Sequence, residues 1–246
     1  MSGFGVSAAR LGAPDTGLIS FGEMLDQGRN VCAASSIPVI GDGDTGYGNA
    51  LNVKRTVRGY AQVGFAGVMI EDQVAPKRCG HTEGKQVVER DEALQRIRAA
   101  VDARDEGDDI VIVARTDARA THGLEEALAR ARAFAELGAD VVFVEALLSR
   151  DEMLAACQTS SKPMLANVLE GGKTPILPPQ ELEAVGYKLA AYPLTLLNAA
   201  VYAMRDALAS ISNGVTPERL LSFAELRSVV GFDAYDSESA RYATRR

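Results

Sequence analysis

The chain has 246 residues, 47% of them hydrophobic and 24% charged, with 26 Lys and Arg against 33 Asp and Glu for a net charge of −7. These figures exclude a disordered, collagen-like or fibrous protein, and the length suits one α/β domain of barrel size. The acidic balance, with no basic run beyond Arg245-Arg246, leaves no electrostatic footprint for nucleic acid.

Three widely spaced cysteines, Cys32, Cys79 and Cys157, do not make a disulfide framework and point to a reducing cytoplasm. The opening Met1-Ser2-Gly3-Phe4-Gly5 lacks a basic and then apolar leader pattern. The apolar stretch from Ala184 to Met204 is interrupted by Lys188, Pro193 and Asn198, so it reads as a strand and a helix, and no membrane partner is expected.

In chain order, short apolar runs alternate with helical patterns. The run 37–42 precedes a helix around 51–63, and 67–71 precedes a polar loop and a helix from about 90 to 106. The run 110–115 leads to a helix at 124–137, 141–145 to one near 150–158, and 163–167 to one at 178–185, with 189–192 as the last strand. Continuous apolar runs mark strands buried on both faces, and the spacing leaves room for one crossover helix each, so a parallel sheet is predicted. Gly64 and Gly138 stand where helices stop. After Tyr192 the pattern predicts a helix over 194–210, a break at Asn213-Gly214, a new helix opened by Pro217 and a polar tail. One domain, 1–246, is expected, with about 1–193 as barrel and 194–246 as a helical extension.

The carboxyl ends of five successive strands carry polar residues: Asp42 and Asp44, Glu71-Asp72, Arg115-Thr116-Asp117, Glu145, and Asn167 with Glu170. In a parallel barrel those ends converge on one face, so the residues are expected to ring one pocket. Asp42, Asp44 and Glu71 offer hard oxygens suited to Mg²⁺, or Mn²⁺. The stretch Gly41–Asn49 is glycine-rich, but it has neither a Gly-Lys-Ser/Thr ending nor the dinucleotide-fold spacing. The loop Asp72–Lys85 holds the close pair Cys79 and His81 beside Lys77 and Arg78, a setting that favours a reactive thiolate. Zinc would need more ligands than that pair supplies. Flanking glycines make the same loop a candidate lid.

These motifs carry a family resemblance. Ser2-Gly3, Pro14-Asp15, Asp42-Gly43-Asp44-Thr45-Gly46, Glu71-Asp72-Gln73, Lys77-Arg78-Cys79-Gly80-His81, Ala114-Arg115-Thr116-Asp117-Ala118, Val144-Glu145-Ala146 and Asn167 through Pro175 together resemble the isocitrate lyase/phosphoenolpyruvate mutase superfamily over essentially the whole chain. Within it, petal-death-protein-like and 2,3-dimethylmalate lyase members are closest in wording.

The resemblance implies a (β/α)8 TIM-type barrel, here lacking its first β/α unit, with C-terminal helices swapped between subunits of a homotetramer built from dimers. It implies Mg²⁺ at Asp42 and Asp44, with Asp15 and Glu71 reached through water. It assigns substrate contacts to Ser2, Gly3, Phe4, Gly80, Arg115, Glu145 and Asn167, and catalytic roles to Cys79, His81, Lys77 and Arg115.

The activity it implies is carbon–carbon cleavage of a 2-hydroxy dicarboxylate or tricarboxylate, of 2-alkylmalate, dimethylmalate or methylisocitrate type, to a 2-oxo acid and a carboxylic acid. Cys79 would protonate the carbanion, with His81 and Lys77 tuning it; no residue is assigned as the base. Carboxyphosphonoenolpyruvate phosphonomutase and oxaloacetate hydrolase or decarboxylase are the alternatives, beside a scaffold that binds metal and diacid without turnover.

Overall fold

A computed structural model describes residues 1–78 and 84–243. Its elements, in order, are α1 (Gly3–Val6) running into a π-helical turn (Ser7–Leu11), α2 (Phe21–Ala34), β1 (Ile40–Asp42), α3 (Ala50–Gln62), β2 (Gly67–Glu71), α4 (Arg90–Asp105), β3 (Val111–Thr116), α5 (Ala118–His122) and α6 (Leu124–Glu136). There follow β4 (Val141–Val144), α7 (Arg150–Gln158), β5 (Leu165–Asn167), α8 (Pro179–Val185), β6 (Leu189–Ala191), α9 (Thr195–Ser212), α10 (Phe223–Val229) and α11 (Phe232–Arg241). The chain divides into two compact units, Met1–Leu196 and Leu197–Arg246.

In the first unit every strand pair is parallel. β1 through β4 form one sheet in chain order and β5 pairs with β6. A parallel bridge between Val142 and Met164, with the Val142 N–H donating to the Pro163 carbonyl at 2.9 Å, carries the order from β4 towards β5. Register is set by burial: Val68 faces Ile112 through the helix-side cluster, and both are fully buried beside Ile70, Ile97 and Phe134. Each such side chain contributes roughly 1.5–3 kcal/mol on leaving water, so a one-residue slip would cost several of them at once.

The predicted strands and crossover helices all appear, shifted by a few residues at most, and the stretch 184–204 becomes β6 and α9. Among the described residues no helix is long and apolar enough to cross a membrane.

Two sequence expectations fail. Pro217 does not open a helix; α10 begins after Ser222, whose hydroxyl accepts from the Glu225 N–H at 3.2 Å while the Glu225 carboxylate accepts from the Ser222 N–H at 2.9 Å. A reciprocal cap satisfies two otherwise orphaned donors, which a proline at the first position cannot do. The supposed polar tail is largely α11.

In the second unit α9, α10 and α11 carry no buried residue. Leu208, Ile211, Phe223, Val229 and Tyr235 are all exposed.

Candidate active site

The strand pleat builds the site in two layers. On β1 to β5 the side chains at i and i+2 share a face, and the pairs Ile40/Asp42, Met69/Glu71, Val113/Arg115, Phe143/Glu145 and Leu165/Asn167 all line one cavity of about 490 Å³. The first member of each pair is apolar and the second polar, so an apolar floor lies one pleat below a ring of charge. β6 departs from the pattern, with Leu189 and Ala191 both apolar. Ser2 and Phe4 from α1, Asp15 and Lys77 also line the cavity.

Asp42 is held from both sides: its Oδ2 accepts from the Gly3 N–H at 3.0 Å and its Oδ1 from the Asp44 N–H at 3.1 Å. A Cβ at position 3 would lie 2.6 Å from Asp42 Oδ2, so any larger residue there would push that carboxylate aside. Ser2 caps α1, its hydroxyl accepting from the Gly5 N–H. Asp44 has φ 47°, a strained conformation for a non-glycine residue that sets its carboxylate beside that of Asp42.

The Lys77 ammonium lies 2.6 Å from Asp15 Oδ1 and 2.9 Å from Asp44 Oδ1, with all three side chains buried. Burial, reinforced by Asp42, pushes the Asp44 carboxyl up to about 7 in spite of Lys77. Burial likewise holds the Glu71 carboxyl well above its usual range, against the pull of Arg115. Burial works against the charge on Lys77, but Asp42, Asp44, Glu71 and Asp15 outweigh it and raise its pKa.

Arg115 is the second buried cation of the site. Its Nε and Nη2 meet Asp117 Oδ2 and Oδ1 at 2.8 and 3.1 Å, its Nε lies 3.3 Å from Glu71 Oε2, and its Nη2 lies 3.2 Å from Glu145 Oε2. The guanidinium sits 5.2 Å from the Phe143 ring centroid. Glu145 is fixed in turn by the Asn167 amide, at 3.1 Å to Oε2, and by the N–H of Ala146, a residue in the left-handed region at φ 61°.

The donor set fits a hard divalent cation. Asp15, Asp42, Asp44 and Glu71 bring four carboxylates near Lys77, which pairs with Asp15 and Asp44, while Glu71 also lies 3.3 Å from Arg115. Glu71 Oε1 is buried without a hydrogen-bond donor among the described residues. No three Asp, Glu, His or Cys side chains among them close on a single point, so side chains alone would not complete the shell of an ion here.

The structure therefore brings together Ser2, Phe4, Asp15, Asp42, Glu71, Lys77, Arg115, Glu145 and Asn167 as cavity lining, with Gly3 and Asp44 directly behind Asp42. Cys79, Gly80 and His81 lie outside the described residues.

The loop that contains them is pinned at its base. Gln73 pairs with Val87 in an antiparallel bridge, the Gln73 amide both donates to the Arg78 carbonyl and accepts from the Arg78 N–H at 2.9 Å, and Lys85 Nζ reaches Asp117 at 2.6 Å. Gln73 and Lys85 were not among the expected site residues; Asp117 was expected in the ring of strand-end residues, but with Asp72, Thr116 and Glu170 it does not line the cavity. The signal of Gln73 and Lys85 was position alone, directly after a strand end or at the far end of the loop.

A family model described as phosphoenolpyruvate phosphomutase matches residues 1–212. The chain is 42% identical over 250 residues to 2,3-dimethylmalate lyase of Eubacterium barkeri, covering 100% of this chain and 86% of that protein. It is 43% identical over 254 residues to the chloroplastic carboxyvinyl-carboxyphosphonate phosphorylmutase of Arabidopsis thaliana, covering 100% and 75%.

Among solved structures, oxaloacetate acetylhydrolase with the inhibitor 3,3-difluorooxalacetate superposes with a TM-score of 0.94 at 36% identity, covering 100% of this chain and 85% of that one. Phosphonopyruvate hydrolase, solved with oxalate and Mg²⁺, superposes at 0.80 with 29% identity, covering 98% and 85%. The likeness extends to the TIM-barrel-like fold that these enzymes share. The chain belongs to the phosphoenolpyruvate phosphomutase family, within the isocitrate lyase/phosphoenolpyruvate mutase superfamily.

Proposed function

We propose that the protein is a Mg²⁺-dependent carbon–carbon lyase that splits a 2-hydroxy dicarboxylate of the 2-alkylmalate, dimethylmalate or methylisocitrate type into a 2-oxo acid and a carboxylic acid. The observation that carries this reading is the two-layered cavity, whose charged ring can take carboxylates and a hydroxyl while its floor and the β6 side offer apolar room for an alkyl branch. The identity to a 2,3-dimethylmalate lyase over the full chain supports the same choice.

Asp42 and Asp44 would hold Mg²⁺, or Mn²⁺, with Asp15 and Glu71 behind water. The ion supplies charge for the hydroxyl and neighbouring carboxylate oxygens of the substrate. Arg115 binds the second carboxylate and stabilises negative charge that develops on it, and Glu145 and Asn167 orient the hydroxyl end. Ser2, Gly3, Phe4 and Gly80 complete the substrate contacts. On sequence grounds Cys79 returns a proton to the departing carbanion, with His81 and Lys77 setting its acidity.

The exposed apolar faces of α9 to α11 support a homotetramer that exchanges C-terminal helices, and the free thiols Cys32 and Cys157 suit a cytoplasmic location.

A panel of 2-alkylmalates, oxaloacetate and a carboxyphosphonoenolpyruvate analogue, each assayed with Mg²⁺ and with EDTA, tests the reading. Metal-dependent release of 2-oxo acid from at least one malate is expected. Turnover of the phosphonate substrate alone would move the protein to the phosphonomutase branch, and of oxaloacetate alone to the hydrolase branch.

A further inference from the structure

Asp117 is fully buried, and none of the proposed steps uses it. Its backbone is fixed from behind. The Asp117 N–H donates to Asp72 Oδ1 at 2.9 Å, and Asp72 Oδ2 accepts from the Thr116 hydroxyl at 2.7 Å and from Arg130 Nη1 at 3.0 Å. Its side chain faces two cations at once, taking the Nε–Nη2 edge of Arg115 side-on and the Lys85 ammonium at 2.6 Å on the same Oδ1 that meets Arg115 Nη2.

The Asp117 carboxylate takes both hydrogen bonds of the Nε–Nη2 edge of Arg115, with Glu71 3.3 Å from Nε and Glu145 3.2 Å from Nη2. Among the described residues Nη1 of Arg115 makes no hydrogen bond, while Arg115 as a whole lines the cavity. A planar guanidinium gripped side-on through Nε and Nη2 has its remaining donors aimed in a fixed direction, which a single-point contact cannot achieve. Lys85 belongs to the returning stem of the 74–86 excursion, joined to the strand end through the Gln73–Val87 bridge and the Val74 N–H to Gln86 carbonyl bond. One carboxylate thus joins the stem of the loop to the substrate-facing cation.

We propose that Asp117 is a positioning residue that sets the aim of the Arg115 guanidinium, and that Lys85 acts through it, so that seating the loop stem and orienting the substrate's cation are one event. This inference rests on the reading of Arg115 as the carboxylate-binding group. Asp117→Asn preserves shape but can present an acceptor oxygen to only one of the two cations. Lys85→Met keeps the length of the side chain and removes its charge.

With the malate that the wild type turns over best, Asp117→Asn is expected to lower kcat/KM by about 100-fold, the loss that a misplacement of about 1 Å brings, and chiefly through KM, because Arg115 is read as a binding group. Lys85→Met should show a smaller loss of the same kind, and the double variant should be no worse than Asp117→Asn alone, because both act through one carboxylate. Calorimetric titration of oxalate in the presence of Mg²⁺ gives a readout independent of turnover, and its affinity should fall in step with KM in each variant.

A wild-type KM and oxalate affinity in Asp117→Asn, or fully additive losses in the double variant, would overturn the proposal. Should Asp117→Asn not fold, an unchanged KM and oxalate affinity in Lys85→Met overturns it by itself. A wild type that binds oxalate but cleaves no malate would count against the lyase reading, and the titrations would still decide the role of Asp117.

Discussion

The two ends of the parallel strands use the same residue types to opposite effect. At the amino-terminal end Asp140 meets one cation, Arg104, whose Nη1 lies 2.8 Å from both of its oxygens, and it also accepts the Ile112 N–H at 2.8 Å; both side chains keep a quarter to a third of their surface in water. At the carboxyl end Arg115 is buried against Asp117, Glu71 and Glu145, while Lys77 is buried between Asp15 and Asp44. The first arrangement is matched and partly solvated, as suits a structural link. The second holds more like charge in less water than stability alone would favour, the mark of an end arranged for binding.

The sharpest way to break this contrast is Arg115→Lys. A point charge cannot reproduce the side-on grip of Asp117, so kcat/KM should fall by about 10²–10³-fold with only a modest change in melting temperature. Steady-state kinetics on the best malate, with calorimetric melting alongside, checks both halves, and activity above a tenth of wild type would remove Arg115 from the chemistry.

The mirror experiment is Asp140→Ala, which orphans the Ile112 N–H and leaves Arg104 with Asp105 and the Gly138 carbonyl. It should cost about 1–3 kcal/mol of stability, read as a drop of several degrees in Tm, and leave kcat/KM within about twofold. A loss of activity at full stability would erase the distinction between the two ends.

The smallest effect is acid-dependent. Arg90, followed by Arg130, holds the Glu126 carboxyl down to about 2, and Arg130 in turn supports Asp72 behind the site. A depressed carboxyl contributes stability that is complete above its ordinary value of 4.5 and is lost as pH falls through about 2. Melting curves between pH 5 and pH 2 should therefore decline more steeply for the wild type than for Glu126→Gln; parallel curves would mean the pair contributes nothing.

Strands were legible because β2 and β3 carry continuous apolar runs, 67–70 and 111–114, buried apart from Met69 and Val111, a pattern strong enough to locate them with little error. α2 was not read, although its start is marked by Ser20 and Glu23 capping each other, the same Ser-Phe-x-Glu device that opens α10. Reading that four-residue signature at both places would have found one helix and corrected the start at Pro217. In the site, Asp42, Glu71, Arg115, Glu145 and Asn167 could be picked out because each ends an apolar run. Asp117 also follows such a run, but nothing in its neighbours reveals that it shares one oxygen between a strand's arginine and a lysine 32 residues earlier.

By itself the sequence determined the parallel α/β order, the polar residues at the strand ends and the family to which the motifs belong, because these follow from burial periodicity and local spacing. Tertiary structure alone decided which carboxylate faces which cation: that Lys77 lies on Asp15 and Asp44, that Arg115 is gripped by Asp117, and that the Asp44 carboxyl rises to about 7. The reason is physical. Charge pairing and desolvation depend on distances between residues far apart in the chain, and those distances exist only once the strands are in register.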